Sequence, residues 1–226
     1  MTLPLGVLIS GGGSNLQSLI DRMEAGVLDA TIRTVISNNP TAKGLDRAKR
    51  HGIPTRVLPH QDYPDRREYD LALTRALQDA GVRAVALAGF MRLVGPDLLA
   101  AFPWRVLNIH PALLPSFPGL HAQEQGAAYG VRLAGCTVHF VDEKVDHGPV
   151  IIQAAVPALA EDTGETLGQR ILRLEHRIYP QAVQWLAQGR LEVQGRQVVV
   201  RPNGHPPAAL DSLPPCLVHP PLEEGF

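Results

Sequence analysis

The first hundred residues alternate between short apolar runs and stretches with helical spacing, and that alternation leaves few folds open. Leu5-Gly6-Val7-Leu8-Ile9 reads as a buried strand that opens into Gly11-Gly12-Gly13. Leu16, Leu19, Ile20 and Met23 then recur at the spacing of one helix face, with Ser14 or Asn15 placed to cap it. Thr31 to Ile36 predicts a second strand, Ala42 to Arg50 a second helix ending near Gly52, and Thr55 to Leu58 a short third strand. A helix is expected from Arg66 to Asp79. Ala84-Val85-Ala86-Leu87-Ala88 is apolar throughout, as a strand covered on both faces should be. This β-α-β-α-β rhythm predicts an α/β fold: a doubly wound, mostly parallel sheet with helices on both faces.

The second half is less regular. Arg105 to Pro111 predicts one more buried strand, and the loop Pro111 to Leu120 holds three prolines and one glycine. A short helix over His121 to Tyr129 should follow. Thr137 to Val141 and Val150 to Val156 read as strands without a helix between them, so either an antiparallel hairpin or a short irregular crossover joins them. A long amphipathic helix is expected from Glu165 to Gln188, with Leu167, Ile171, Leu174, Ile178 and Val183 on its apolar face. From Pro202 onward the pairs Pro206-Pro207, Pro214-Pro215 and Pro220-Pro221 predict a tail that wraps the surface or lacks order. The expected organisation is one domain over 1–201, with halves 1–100 and 101–201, followed by the proline-rich tail 202–226.

A chain of 226 residues can bury one substantial core, and its net charge of −1 offers no basic face for nucleic acid. The N-terminus lacks a basic segment followed by a long apolar run, which argues against a signal peptide. No stretch approaches the roughly 20 apolar residues that span a bilayer. Cys136 and Cys216 form no C-x-x-C pair, so neither a metal cluster nor a disulfide framework is expected. A soluble cytoplasmic protein is the natural expectation, with neither nucleic acid nor membrane as partner and either monomeric or homodimeric.

Two constellations carry chemistry. Ser10-Gly11-Gly12-Gly13-Ser14-Asn15 joins the first strand to the first helix, where glycines permit close approach and free N–H groups favour an anion. A plain turn would need one glycine, so phosphate binding is favoured. The dinucleotide fingerprint G-x-G-x-x-G fails at Leu16, and no Gly-Lys-Ser/Thr follows, so a single terminal phosphate suits the loop better than a pyrophosphate. At the end of the later strand, Asn108 and His110 are two residues apart and should project to one face. An amide donor beside an imidazole suits chemistry at a carbonyl carbon. A turn cap at Asn108 and simple packing of His110 fit the same residues equally well. Asp142 and Asp146, in the loop after the Thr137 strand, are compatible with solvated carboxylates or with a partner that orients His110 and favours its protonated form.

Taken in order, Asn108-Ile109-His110-Pro111, Leu113-Leu114-Pro115-Ser116-Phe117-Pro118-Gly119-Leu120-His121 and Asp146-His147-Gly148-Pro149 resemble the folate-dependent formyltransferases. Ser10 to Asn15 and Gly89-Phe90-Met91-Arg92 resemble, within that family, the phosphoribosylglycinamide group of purine biosynthesis. The resemblance covers residues 5 to 195. It implies a formyltransferase fold with a Rossmann-like N-terminal half, phosphate binding in that half, and folate binding and catalysis in the next.

The resemblance further implies Asn108, His110 and Asp146 as catalytic residues. Gly13, Ser14, Asn15, Leu16, Gln17 and Glu175 would hold a phosphoribosyl substrate. Arg66, Met91, Arg92, Leu93 and Val94 would bind the formyl donor, 10-formyltetrahydrofolate, together with Asn108 and the loop Asp142, Glu143, Lys144, Val145 and Asp146. His121, Thr137 and His139 would surround the catalytic set, and no metal is implied. The chain departs from the family pattern in the all-glycine run Gly11 to Gly13 and in His147 beside Asp146.

The implied reaction is attack of a glycinamide amine on the formyl carbon. A 10-formyltetrahydrofolate hydrolase would use the same residues on water, but usually carries an N-terminal regulatory domain for which a strand at residue 5 leaves no space. A methionyl-tRNA formyltransferase would usually need a further basic domain. A catalytically silent phosphometabolite binder is the remaining alternative. Elsewhere, His51, His60, His205 and His219 are expected in solvent, His176 in a structural role, and Trp104 and Trp185 in packing. The Leu114-Pro115 bond is expected trans by default.

Overall fold

The computed structural model describes residues 2–204, 206–211 and 213–226. The chain forms two compact units, residues 1–108 and 109–226.

In the first unit, β1 (Leu3–Ile9), β2 (Ala30–Ser37), β3 (Thr55–Val57), β4 (Ala84–Leu87) and the start of β5 (Val106–His110) run parallel. Their order is β3-β2-β1-β4-β5. Val7, Leu8 and Ile9 are fully buried, as are Ala84, Val85 and Ala86, which matches their unbroken apolar sequence. The chain steps outward from β1 to β3, then returns to β4 on the far side of β1. Right-handed crossovers therefore put α1 (Ser14–Glu24) and α2 (Lys43–Arg50) on one face, and α3 (Arg66–Asp79) and α4 (Pro96–Ala101) on the other. Accordingly α1 touches α2, and α3 touches α4. The strand order reverses between β1 and β4, and such a switch point is where open α/β sheets bind ligands.

Two local expectations change. The α1 cap is Gly13, at φ 72, and not Ser14 or Asn15. A Cβ at Gly13 would lie 2.7 Å from the Gly44 Cα, so the left-handed turn and the close approach both require glycine. The short α4 was not anticipated, because six residues are too few to show periodicity; its signal was Pro96 at the first helical position.

In the second unit, β6 (Leu133–Phe140) and β7 (Val150–Pro157) form an antiparallel pair, which decides between the two connections left open above. Against them pack α5 (Ala122–Tyr129) and α6 (Gly164–Ala187). Thr163 caps α6 by accepting from the Thr166 N–H, while the Thr166 hydroxyl accepts from the Thr163 N–H. The expected apolar stripe of α6 is buried, with Leu167, Leu174 and Ile178 wholly inaccessible. A second hairpin, β8 (Leu191–Gln194) and β9 (Gln197–Val200), joins β7 at Val150.

The tail is more structured than its composition suggests. β10 (Leu217–His219) pairs antiparallel with β7 over Gln153 to Ala155, on the edge that β9 occupies at the other end of the strand. Leu222 and Phe226 are buried. Glu223 accepts from the Trp185 indole N–H at 3.1 Å and pairs with Arg190 at 2.7 Å, and its own N–H donates to Gln181 at 2.8 Å. Proline does not prevent this order because the anchors are apolar side chains and one carboxylate, contacts that composition does not encode.

Trp185 is packed as expected, whereas Trp104 is 52% exposed at φ 52. His51 and His60 also depart from a free solvated state: His51 pairs with Glu24 at 2.6 Å, and His60 stacks edge-on against Tyr69. His219 is exposed, and His205 lies outside the described residues. The Leu114-Pro115 bond is cis rather than trans, in a segment held by long-range contacts: the Leu114 N–H donates to Thr137 and its carbonyl accepts from Gln153. Among the described residues no helix is long and apolar enough to cross a membrane.

If Glu223 anchors the tail, Glu223→Ala should lower unfolding free energy by about 2 kcal/mol, since it leaves a charged donor and an indole N–H without their acceptor. Urea denaturation followed by Trp185 fluorescence measures this, and an unchanged midpoint would show the tail to be dispensable.

Candidate active site

At the switch point of the first unit, Ser10 ties three strand ends together. Its N–H donates to the Gly89 carbonyl at 3.0 Å, and its hydroxyl donates to Asn38 at 2.6 Å while accepting from the Met91 N–H at 2.8 Å. Beyond it, Gly11 and Gly12 are exposed, and the Arg47 guanidinium donates to the Gly12 carbonyl at 2.8 Å and to Gln17 at 3.4 Å. The N–H groups of Ser14, Asn15 and Leu16 form the first turn of α1, where no intrahelical acceptor exists. No acidic residue stands in that turn. Leu16 is fully buried, so only its backbone is available to a ligand. The loop thus combines first-turn donors with a nearby cation, as an anion site requires.

After β4, Met91 and Leu93 are 58% and 53% exposed, Arg92 is exposed, and Val94 is buried. Two residues of α3 hold this run. Arg66 donates to the Val94 carbonyl at 3.0 Å, and the buried Asp70 carboxylate accepts from the N–H groups of Gly95 at 2.8 Å and Leu98 at 3.0 Å. Arg66 therefore grips the loop backbone. Sequence reasoning missed Arg47, Asp70 and the bracing contacts of Ser10, because each acts on chain 25 or more residues away.

The second unit contains a buried polar cluster built on His110, Asp146 and His139. His110 ends β5 almost completely buried. Its Nε2–H donates to the Phe117 carbonyl at 2.8 Å, and its Nδ1 faces Asp146 Oδ2 at 3.3 Å. The Asp146 Oδ2 accepts from the Gly119 N–H at 2.7 Å, and its Oδ1 faces His139 Nε2 at 3.6 Å. His139 in turn donates from Nδ1 to the Phe140 carbonyl at 2.8 Å. Sequence spacing could not show that Asp146 reaches His110; the structure shows that it does. Asn108, half-buried and two residues earlier in β5, projects to the same side of the strand as His110.

Burial opposes ionisation of Asp146, but His139, the Gly119 N–H and His110 outweigh it and hold the carboxyl below its ordinary value. For His110 burial dominates and lowers the value below 6.5, against the pull of Asp146 and the Phe117 carbonyl and with the help of His139. Asp146 does favour the protonated ring, as expected, but desolvation outweighs it and leaves the net shift of His110 toward the neutral form. With Nε2–H committed to Phe117, the nitrogen that gains and loses the proton is Nδ1, beside Asp146.

The loop between β6 and β7 carries Asp142 to Asp146. Asp142 accepts from the Lys144 N–H at 3.0 Å and from the His147 ring at 2.6 Å, while Glu143, Lys144 and Val145 face solvent. Thr137 braces the preceding loop by donating to the Ala112 carbonyl at 2.7 Å. His121 is 76% exposed and pairs with Glu124, so it does not join the cluster; its left-handed backbone at φ 59 turns it outward. Glu175 is buried within α6.

Residues 5–183 match the formyl transferase family model. The chain belongs to the formyl transferase family. Within it, the chain is 43% identical to phosphoribosylglycinamide formyltransferase of Escherichia coli, over 83% of this chain and 88% of that protein. It is 51% identical to the trifunctional purine biosynthetic protein adenosine-3 of Drosophila pseudoobscura pseudoobscura over 82% of this chain, and spans only 14% of that relative's length. Glycinamide ribonucleotide transformylase 1 of Symbiobacterium toebii superposes with a TM-score of 0.88 at 51% identity, covering 89% of this chain and 95% of that one. A formyltetrahydrofolate deformylase from Pseudomonas syringae shares the fold at a TM-score of 0.83 but only 27% identity, covering 89% of this chain and 67% of that one.

In this formyl transferase, Asp146→Asn removes the charge that raises the His110 value, so His110 should titrate lower still. An NMR titration of its ring protons measures the shift, and an unchanged value would mean that the 3.3 Å contact carries no electrostatic weight. Both groups bind protons more weakly when folded than when unfolded. Stability should therefore fall as pH drops below the ordinary histidine value, and further through the carboxylate range.

Proposed function

We propose that this enzyme transfers the formyl group of 10-formyltetrahydrofolate to the amine of 5-phosphoribosylglycinamide, in purine biosynthesis. The observation that carries the reading is the His110–Asp146 pair, in a chain that shares 40% or more identity with phosphoribosylglycinamide formyltransferases over most of its length. In this reading Gly13, Ser14, Asn15, Leu16 and Gln17 form the phosphate-binding loop, and Glu175 is a further substrate contact. The formyl donor is held by Arg66, the run Met91, Arg92, Leu93 and Val94, and the loop 142–146. Exposed Met91 and Leu93 beside Arg92 fit a flat, partly apolar ligand that also carries carboxylates.

In the reaction the substrate amine attacks the formyl carbon, and negative charge develops on the formyl oxygen. The Asn108 amide donates to that oxygen. The attacking nitrogen must lose a proton and the departing folate nitrogen must gain one. Neutral His110 accepts the proton of the attacking nitrogen at Nδ1, directly or through a water held by Asp146, and Asp146 stabilises the imidazolium that forms. That proton passes to the departing folate nitrogen as its bond to the formyl carbon breaks. The amine is already a competent nucleophile once neutral, and the formyl carbon is already electrophilic. Activity should therefore rise with pH through a His110 value below 6.5 and level off near neutrality.

The hydrolase reading is disfavoured because the deformylase neighbour is much less similar than the transferases. Incubation with 10-formyltetrahydrofolate, with and without the glycinamide substrate, separates the two. Transfer predicts formylated amine and no formate in its absence, whereas amine-independent formate would establish a hydrolase. In the same assay Asn108→Ala should lower kcat by about 10²–10³ with the fold intact, the usual loss for one oxyanion donor. Near-normal turnover would remove Asn108 from the mechanism.

A further inference from the structure

We propose that Arg196, outside the segment that matches the family model, is a positioning residue for Asp146. The proposal rests on the catalytic reading of Asp146 given above. Arg196 stands in the β8–β9 turn, and the next residue, Gln197, pairs with Val150 at the start of β7. That register delivers the guanidinium to the base of the loop that carries Asp146. Arg196 Nη1 donates to the His147 carbonyl at 2.6 Å, one residue beyond Asp146.

The rest of the loop makes this contact consequential. Asp146 has φ 47, a left-handed conformation that a residue with a side chain adopts only where surrounding contacts impose it. The Gly119 N–H holds its carboxylate from inside, at 2.7 Å. Beyond Asp146, the His147 ring donates to Asp142 at 2.6 Å, which folds the loop back on itself. Gly148 fits only without a side chain, since a Cβ there would lie 1.8 Å from the Phe140 carbonyl, and the Phe140 N–H closes the base on Pro149 at 3.0 Å. Asp146 therefore sits between a pinned base and a folded tip, and Arg196 fixes the peptide that joins them. Without it the turn relaxes and the carboxylate withdraws from His110 Nδ1.

Arg196→Ala tests this in the full-length chain. Amide exchange of residues 143–147 should accelerate, and the His110 titration should move down, as expected when Asp146 retreats. In the formyl transfer assay kcat should fall about three- to tenfold, the range for one charge-assisted hydrogen bond weakened by exposure, with KM for the glycinamide substrate unchanged. Arg196→Lys keeps a cationic donor and should recover part of each effect. Arg201→Ala breaks the exposed Arg201–Glu192 pair on the same hairpin and should change none of them. Unchanged exchange and titration in Arg196→Ala would overturn the proposal, as would an equal response from Arg201→Ala. A wild-type chain without formyl transfer would contradict the proposed function instead, and the His110 titration would still decide the role of Arg196.

Discussion

The second unit is organised around one buried carboxylate. Taking an ionised Asp146 out of water costs several kcal/mol unless donors replace the lost hydration. The Gly119 N–H donates to it, and the His110 and His139 rings face it at 3.3 and 3.6 Å, each from a different stretch of chain. The requirement propagates outward. His139 must stand at the end of β6 with its other nitrogen on a backbone carbonyl, and the 111–120 loop must fold back to present Gly119 and Phe117. The 141–149 loop must accept a left-handed turn at Asp146 itself. The backbone at Gly119 and the left-handed turn at Asp146 both serve that one charge.

The same charge bears on the proposed chemistry. With Phe117 holding Nε2–H and burial opposing the imidazolium, His110 is a neutral ring whose free nitrogen points at the group that will stabilise its protonated form. In the proposed transfer, that is the state a proton acceptor needs before the amine attacks. A ring protonated beforehand would serve the oxyanion but could not relieve the attacking nitrogen of its proton. The first unit contributes a different kind of order, a strand-order reversal at which Ser10 links the glycine loop to the run after β4.

Where the sequence was legible, the signal was local. The strands of the first unit announce themselves as short apolar runs, and α1, α3 and α6 as 3.6-residue periodicities. Asn108 and His110 share a strand face by the pleat alone. The glycine loop follows strand one, and its position marked it as a candidate anion site. The resemblance to formyltransferases supplied the link between His110 and Asp146, which are 36 positions apart and could not be paired by spacing. Other features depend on partners that local pattern does not name. Asp70 looks like any helical carboxylate until Gly95 and Leu98 are brought against it. Arg196 looks like a solvated turn residue until β9 docks on β7. The tail reads as loose because proline dominates it, while its order rests on Val218, Leu222, Glu223 and Phe226.

The Phe117 carbonyl and burial together favour His110 as the neutral Nε2–H form with Nδ1 toward Asp146. Nitrogen-15 NMR of the histidine side chains at pH 7 tests it directly. The expected result is a protonated Nε2 and an unprotonated Nδ1 for His110, with protonation of Nδ1 only at acidic pH. A neutral ring protonated at Nδ1, or an imidazolium that persists above pH 7, would contradict it.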